Sequence, residues 1–444
     1  LLFCLALAMP APANAKGMNL IRDAETEQNL KTLIYPILDA AGVERAAFRL
    51  FIVQDDSLNA FVAGGQNIFI HTGLLLRSEN YAQLMGVIAH EAGHIAGGHL
   101  VRRQQDLSTI KEQSLVLQLL AGAALALGRG DAGMAILGAG AQVFQRSALA
   151  YTRVQERSAD QAGLSYLQQL NVTPQGLLDF FKILQGEQRL QLDGQPNPYL
   201  QSHPLSAERV EAAAAFLRAH PQLGPSPANP QFANAHTRIR AKLGGFLWDP
   251  KKLALHYPSA DQSFAARYAR AINEFRFGSP ALAITELDRL IAENPTDPFL
   301  YEMRGQARLE SPELSKSGRN AYLADYRRAL QLAPQQALIR LGLAQALLAE
   351  PDAKATAEAI PLLAEVLRLE PAYGQGWRME AIARGRSGEL GKSALALAEL
   401  ALLQGDKPRA KEQAKRALAS LGNDAAARQR AEDIQNQLTA DEKK

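Results

Sequence analysis

Residues His90-Glu91-Ala92-Gly93-His94 spell H-E-x-x-H within the apolar run 81–100, and no other feature constrains the chain as tightly. The run reads as a helix. At 100° per residue, positions 90 and 94 sit about 40° apart, so both imidazoles leave one face a turn apart. Such a pair can grip one metal ion while Glu91, the next residue, leans over an open coordination position. Because 84–89 (Leu-Met-Gly-Val-Ile-Ala) is apolar up to the first histidine, the pair is predicted on a buried helix, not a surface helix with one apolar stripe. The pattern points to a zinc-dependent peptidase. The plainer reading is a helix carrying two histidines for capping or packing.

Two imidazoles do not complete a catalytic zinc site, which uses three protein ligands and keeps a fourth position for water. His99 is one residue short of the third ligand in H-E-x-x-H-x-x-G-x-x-H, where position 100 is Leu. On a continuing helix His99 lies about 140° round from His94, so it reads as a core or surface histidine. A better candidate lies in 154–160, Val-Gln-Glu-Arg-Ser-Ala-Asp. Glu156 and Asp160 are four apart and share a helix face. Glu156 is the expected third ligand. Asp160 is then the outer acceptor for a ligand imidazole N–H, setting its tautomer and aiming its lone pair. Alone, E-R-x-x-D is also an ordinary solvated surface pattern.

Together, H-E-A-G-H, E-R-S-A-D at 156–160, and Ser202-His203-Pro204 with Arg209 six residues past the histidine resemble the M48 family of zinc metallopeptidases. Upstream, Asn59-Ala60-Phe61, Gly64-Gly65 and Ile68-Phe69-Ile70-His71-Thr72-Gly73-Leu74-Leu75 resemble that family's strand before the active-site helix. The resemblance implies His90, His94 and Glu156 as ligands of one zinc ion, and Glu91 as general base. It also implies His203 and Arg209 as a polar pair closing over the site, and Asn59 as a cleft-wall residue that meets substrate backbone. In that chemistry zinc polarises the scissile carbonyl and acidifies water. Glu91 moves the water's proton to the leaving amine, and His203 or Arg209 faces the developing oxyanion. His203 has a second role open to it, as a fourth ligand that holds the enzyme inactive until substrate arrives. Residues 66–72 alternate about Ile68 and Ile70 and read as a strand. If that strand is an exposed edge, an extended substrate can pair with it with little side-chain selectivity.

The first fifteen residues, an apolar core ending in Ala13-Asn14-Ala15, match a secretory signal peptide cleaved after Ala15 and truncated at its start. The stretch is too short to span a bilayer. Cys4 is the only cysteine, and Phe3 stands before it where a lipidation signal wants a small residue. The mature chain then has no cysteine, hence no disulfide and no thiolate on the zinc. Redox coupling in relatives with structural cysteines does not carry over. Signal and resemblance together point to the periplasm of a Gram-negative bacterium. Net charge is +3, with Lys and Arg dispersed and no aromatics interleaved, which argues against nucleic acid as a partner.

At 444 residues the chain is expected to hold two or three domains. Residues 16–221 read as the peptidase, helical with a small sheet. Residues 222–261 read as a Pro-rich connector, irregular over most of its length. Residues 262–436 read as tetratricopeptide repeats, and 437–444 as a polar tail. The repeat reading rests on Pro295, Pro334 and Pro371, spaced 39 and 37 residues apart, each ending an apolar helical stretch. Gly305, Ala344 and Ala381 fall where a small residue lets the first helix of a pair pack closely. Trp377 opens a fourth unit, and 405–421 begins a less regular fifth. A generic helical bundle is the plainer alternative. The expected fold class is mainly α: a zincin-type metallopeptidase domain followed by an α-solenoid, whose concave face binds peptides or partner proteins.

A peptidase joined to such repeats is similar to periplasmic M48 proteins with C-terminal tetratricopeptide repeats. That likeness implies quality control of outer-membrane proteins, with unfolded, misfolded or stalled barrels as clients and the barrel-assembly machinery as a partner through the repeats. Between the ligand blocks, 115–128 and 134–144 are apolar but short of the roughly 18 residues a spanning helix needs. A hairpin packed on the protein and a surface touching the outer membrane both stay open for 115–144. Three functions compete: an endopeptidase, a chaperone or scaffold with a largely latent peptidase, and a processing enzyme for one exported protein. Intact His90, Glu91, His94 and Glu156 favour the first.

Overall fold

The computed structural model describes residues 19–99, 153–190, 197–224, 229–349 and 351–441. The expected signal peptide and the apolar insertion 115–144 lie outside them. Two compact units emerge, the first ending at Gly244 and the second beginning at Gly245.

The first unit opens with strand β1 (Leu20–Ile21) and helix α1 (Ala24–Ala40), which starts where the Asp23 carboxylate accepts a hydrogen bond from the Thr26 amide at 2.7 Å. Its buried stripe, Leu30, Leu33, Ile34, Ile37 and Leu38, follows the helical period. Strands β2 (Arg49–Val53), β3 (Ala60–Ala63) and β4 (Asn67–His71) complete a four-stranded sheet ordered β1-β2-β4-β3. β4 pairs in parallel with β2, Ile70 opposite Ile52, and antiparallel with β3, Ile70 opposite Ala60. Period two buries Ile68 and Ile70 on one face. On the other, Phe69 stacks between Phe51 and Phe61 at 4.8 and 4.9 Å.

This order corrects the expectation that 66–72 could be an open edge. Gly64 and Gly65 adopt φ of 59° and 101°, a turn that folds β3 back along β4. Among the described residues β4 becomes interior, and the edge strands are β3 beside it and β1.

Helix α2 (Thr72–Arg77) leads to α3 (Tyr81–Ala96), which carries the H-E-x-x-H residues. Asn80 caps it, accepting from the Gln83 amide at 3.0 Å, while the Gln83 side chain accepts from the Glu79 amide at 2.8 Å. Residues Ala82 to His94 of α3 are buried throughout, as the unbroken apolar run requires. Helices α4 (Arg153–Gln169) and α5 (Gln175–Leu190) pack on it. The approach is backbone to backbone: a Cβ on Gly93 would sit 2.7 Å from the Ala159 carbonyl oxygen, and one on Gly163 would sit 3.0 Å from the Ala89 backbone. Only glycine allows that distance. Helices α6 (Pro198–Ser202), α7 (Ala207–Ala219) and α8 (Pro230–Leu247) follow, α7 and α8 separated by a 3-10 turn at Pro221–Leu223.

The expected irregular connector 222–261 is therefore largely helical. Asn229 caps α8 through the Phe232 amide at 3.1 Å, and Asp249 caps α9 (Pro250–His256) through the Lys251 and Lys252 amides. Pro230 and Pro250 sit in the first turns, where the missing N–H has no helical partner to lose. Gly245 does not break α8. Its absent side chain admits Ile272, whose Cβ would lie 2.7 Å from a Cβ there.

From Phe264 onward the second unit is a run of helix pairs: α10 (Phe264–Phe277) with α11 (Pro280–Glu293), α12 (Pro298–Glu310) with α13 (Pro312–Leu332), and α14 (Ala337–Leu347) with α15 (Ala353–Leu369). Two further pairs are α16 (Gly374–Arg386) with α17 (Leu390–Leu403), and α18 (Lys407–Ser420) with α19 (Ala425–Asp441). This is the expected tetratricopeptide-like stack after a mainly helical domain with a small sheet. Gly305 receives the Tyr326 ring, 3.1 Å from where its Cβ would be, and Ala344 is fully buried. One bond recurs at the repeat period. Tyr301 donates to the Pro295 carbonyl at 3.1 Å, Arg340 to that of Pro334 at 2.6 Å, and Trp377 to that of Pro371 at 2.8 Å. Each ties a pair's first helix to the turn before it. The polar tail expected at 437–444 begins later, because Leu438 is buried beside Ile434 and α19 runs to Asp441.

Candidate metal centre

α3 and α4 cross where glycine lets them touch, so residues 66 positions apart, His90 and Glu156, become neighbours. His90 Nε2 lies 3.1 Å from His94 Nε2 and 3.5 Å from Glu156 Oε2, and His94 Nε2 lies 3.4 Å from Glu156 Oε1. α6 brings a fourth group: His203 Nδ1 is 3.0 Å from Glu156 Oε1 and 3.3 Å from His90 Nε2. Donor atoms of His90, His94, Glu156 and His203 all fall within 4.8 Å of one another, and all four residues are buried. Imidazole nitrogens and a carboxylate converging in a dry site suit a divalent cation such as zinc.

Around the four donors lies a second tier. Asp160 Oδ1 accepts from His90 Nδ1 at 2.8 Å, so the ring's Nε2 lone pair faces the cluster. Arg209 grips Asp160 with both Nε, at 2.6 Å, and Nη2, at 2.8 Å. Its Nη1 donates to the Pro204 carbonyl at 3.0 Å and also lies 2.6 Å from Glu156 Oε2, an ion pair without hydrogen-bond alignment. His203 or Arg209 was expected to face the oxyanion. Every Arg209 side-chain nitrogen is engaged, by Asp160, Glu156 and the Pro204 carbonyl, because two buried carboxylates need its charge. Burial works against the Arg209 charge, but bonding to Asp160 holds its pKa above the ordinary value. Burial would likewise raise Asp160, and the bonds from Arg209 and His90 lower it.

Glu91 is fully buried, with Oε1 3.5 Å from His203 Nε2 and neither oxygen in an aligned side-chain hydrogen bond. Burial pushes its pKa up to about 8; the Glu156 charge adds to that push, while His90 and Arg209 oppose it. The Val62 backbone draws it down only slightly. Burial would raise Glu156 too, but contacts with His203 and His94 hold it well below the usual carboxylate range. Burial lowers His94 far below the ordinary imidazole value, with Glu156 opposing. One carboxyl raised by burial beside another held low by its partners is the separation that acid–base work needs.

Asn59 precedes β3, an edge strand, which packs against α3 and α6. Its carbonyl accepts from the His71 amide at 3.0 Å, while its buried Oδ1 has no partner. The spacing pointed neither to Tyr199 nor to the contact His99 makes. Tyr199, on α6, stacks on His203 with centroids 4.6 Å apart and leaves its buried hydroxyl unpartnered; burial and then the Glu91 charge raise its pKa well above the usual value. A tyrosine one turn before Ser202-His203-Pro204 was the available signal. His99 is a core histidine, one of the two readings expected of it, and lies 2.9 Å from His94.

A buried helix bearing two histidine donors, a crossing helix supplying the carboxylate, and a buried acid next in line define a metallopeptidase. Residues 24–216 match the model of peptidase family M48, and the chain carries an M48 metallopeptidase domain. It is 25% identical over 395 residues to the beta-barrel assembly-enhancing protease of Yersinia pestis, covering 87% of this chain and 78% of that one. It is 27% identical over 290 residues to the protein of the same name from Escherichia coli strain K12, covering 64% of this chain. Metalloprotease YcaL of the same strain is 26% identical over 166 residues, covering 37% of this chain. The aligned stretches span 58% and 59% of the two E. coli relatives, little more than half of each.

Proposed function

We propose that this chain is a zinc-dependent endopeptidase of the periplasm, acting on misfolded or stalled outer-membrane proteins. What supports the peptide-cleaving role is one arrangement: four donors able to hold a metal ion within 4.8 Å of one another, with the buried Glu91 carboxylate beside them, 3.5 Å from His203. His90, His94 and Glu156 would hold the ion. Bound there, zinc supplies a polarising charge for the scissile carbonyl and for water. Glu91, next along the helix from His90, would take a proton from the attacking water and pass it to the leaving amine. Asp160 keeps His90 aimed, and Arg209 keeps Asp160 and Glu156 in place. An extended client segment adds to the β3 edge, with the unpaired Asn59 Oδ1 taking one of its amide N–H groups. The names of the two assembly-enhancing relatives support the client class and, through the helix pairs, a tie to the assembly machinery. None of the described helices is long and apolar enough to cross a membrane.

Glu91→Gln is the test. Proteolysis of an unfolded outer-membrane protein should fall roughly 100- to 10,000-fold, with zinc still bound one per chain. Retained proteolysis would remove Glu91 from the chemistry; absence of stoichiometric zinc in the wild type would remove the peptidase reading. His203 favours a second, latent reading. It sits within the donor cluster, where a fourth protein ligand closes a zinc site. In that case the repeats do the main work as a scaffold, and Glu91→Gln should still correct an envelope defect in full.

A further inference from the structure

We propose that His99 is the hydrogen-bond acceptor that sets the tautomer of His94, doing for the second imidazole what Asp160 does for the first. The proposal rests on reading the four-donor cluster as a metal centre. On an unbroken helix His99 would point away from His94. The helix does not continue. α3 ends at Ala96, Gly97 donates to the Gly93 carbonyl at 2.9 Å, and Gly98 turns left-handed at φ 62°. That reversal returns His99 to the helix end, where its Nδ1 lies 2.9 Å from His94 Nδ1 and the rings meet edge to face at 5.0 Å and 75°. His99 is buried, and its ring lies over Gly97, where a Cβ would come within 2.6 Å of His99 Nε2. His99 stands behind His94 and outside the four-donor group.

Proton bookkeeping gives this contact a direction. Two Nδ1 atoms face each other, and one proton lies between them. If His94 carries it, His94 Nε2 has a lone pair turned to the cluster, 3.4 Å from Glu156 Oε1, and can bind metal. His99 then accepts through Nδ1 and keeps its own proton on Nε2. With the opposite polarity, the His94 proton moves to Nε2 and the ligand is lost. His90 is oriented by an anion, His94 by a neutral ring.

The test uses the full chain and zinc itself. Zinc affinity by chelator competition should fall about 10- to 100-fold in His99→Leu and recover to within a few-fold in His99→Asn, whose side-chain oxygen can accept the same bond. Long-range proton–nitrogen correlation on the zinc-loaded wild type should place the His94 proton on Nδ1 and the His99 proton on Nε2. Unchanged affinity in a folded His99→Leu overturns the proposal, as does a proton on His99 Nδ1 in the wild type. If His99→Leu fails to fold, the wild-type correlation decides. A wild type that takes up no zinc instead overturns the metal-centre reading, so the two failures are distinguishable.

Discussion

At the residue scale, the site is decided by which buried polar groups have partners. Arg209 neutralises two carboxylates that burial would otherwise make costly, so Arg209→Ala should destabilise the fold by about 3–5 kcal/mol in urea unfolding. A loss under about 1 kcal/mol would mean water reaches the pair. Tyr199 is the converse. Its hydroxyl is buried without a partner, so Tyr199→Phe should leave stability unchanged or raise it by about 1 kcal/mol, while keeping the ring stacked on His203. A marked drop in melting temperature would reveal a partner for that hydroxyl. The shared faces of His90 with His94 and of Glu156 with Asp160 were legible from spacing because each pair sits on one helix, where geometry is local. His99 was not, because helical periodicity presumes a continuing helix and one left-handed glycine ended it.

At the element scale, α3 and α4 meet through glycine. Gly93→Ala gains about 1 kcal/mol of helix propensity but drives a methyl group to 2.7 Å from the Ala159 carbonyl oxygen, an overpacking cost of about 1–3 kcal/mol. Cost should win, and α4 should retreat with Glu156 on it. We expect weakened zinc affinity in Gly93→Ala and none of that loss in Gly186→Ala, which has nothing within 4 Å of the added methyl group and should stabilise α5 by up to about 1 kcal/mol. Equal zinc affinities in both variants would show that the crossing tolerates the shift. The strand 66–72 was readable from its alternation, yet its place in the sheet was not. Edge or interior depends on which neighbour pairs with it, and the Gly64-Gly65 turn settled that.

At the scale of the whole molecule, stability carries a pH signature remote from the metal centre. His236 on α8 is buried against Ser78, at 2.9 Å, and burial followed by the nearby Arg240 charge lowers its pKa from 6.5 to about 4. Between those values the unfolded chain binds a proton that the folded chain refuses. Its contribution is present above pH 6.5 and is lost as pH falls through 4, at most about 3 kcal/mol in all. Urea unfolding at pH 7 and pH 4.5 should show a smaller difference for His236→Gln than for the wild type; equal differences would show that His236 is protonated while folded. The period of Pro295, Pro334 and Pro371 made the repeats readable, because identical packing problems recur at one spacing. The supposed connector misled, because proline and glycine read as breakers until caps at Asn229 and Asp249 and a packing partner at Ile272 make them helix starts and close contacts. By itself the sequence determined what local periodicity dictates: the helix bearing His90 and His94, the shared face of Glu156 and Asp160, and the repeat spacing. Tertiary structure alone decided how far apart those residues lie, which strands are edges, and which groups Arg209, His99 and Tyr199 meet, since each depends on contacts between residues distant in the chain or on a turn that breaks the local period.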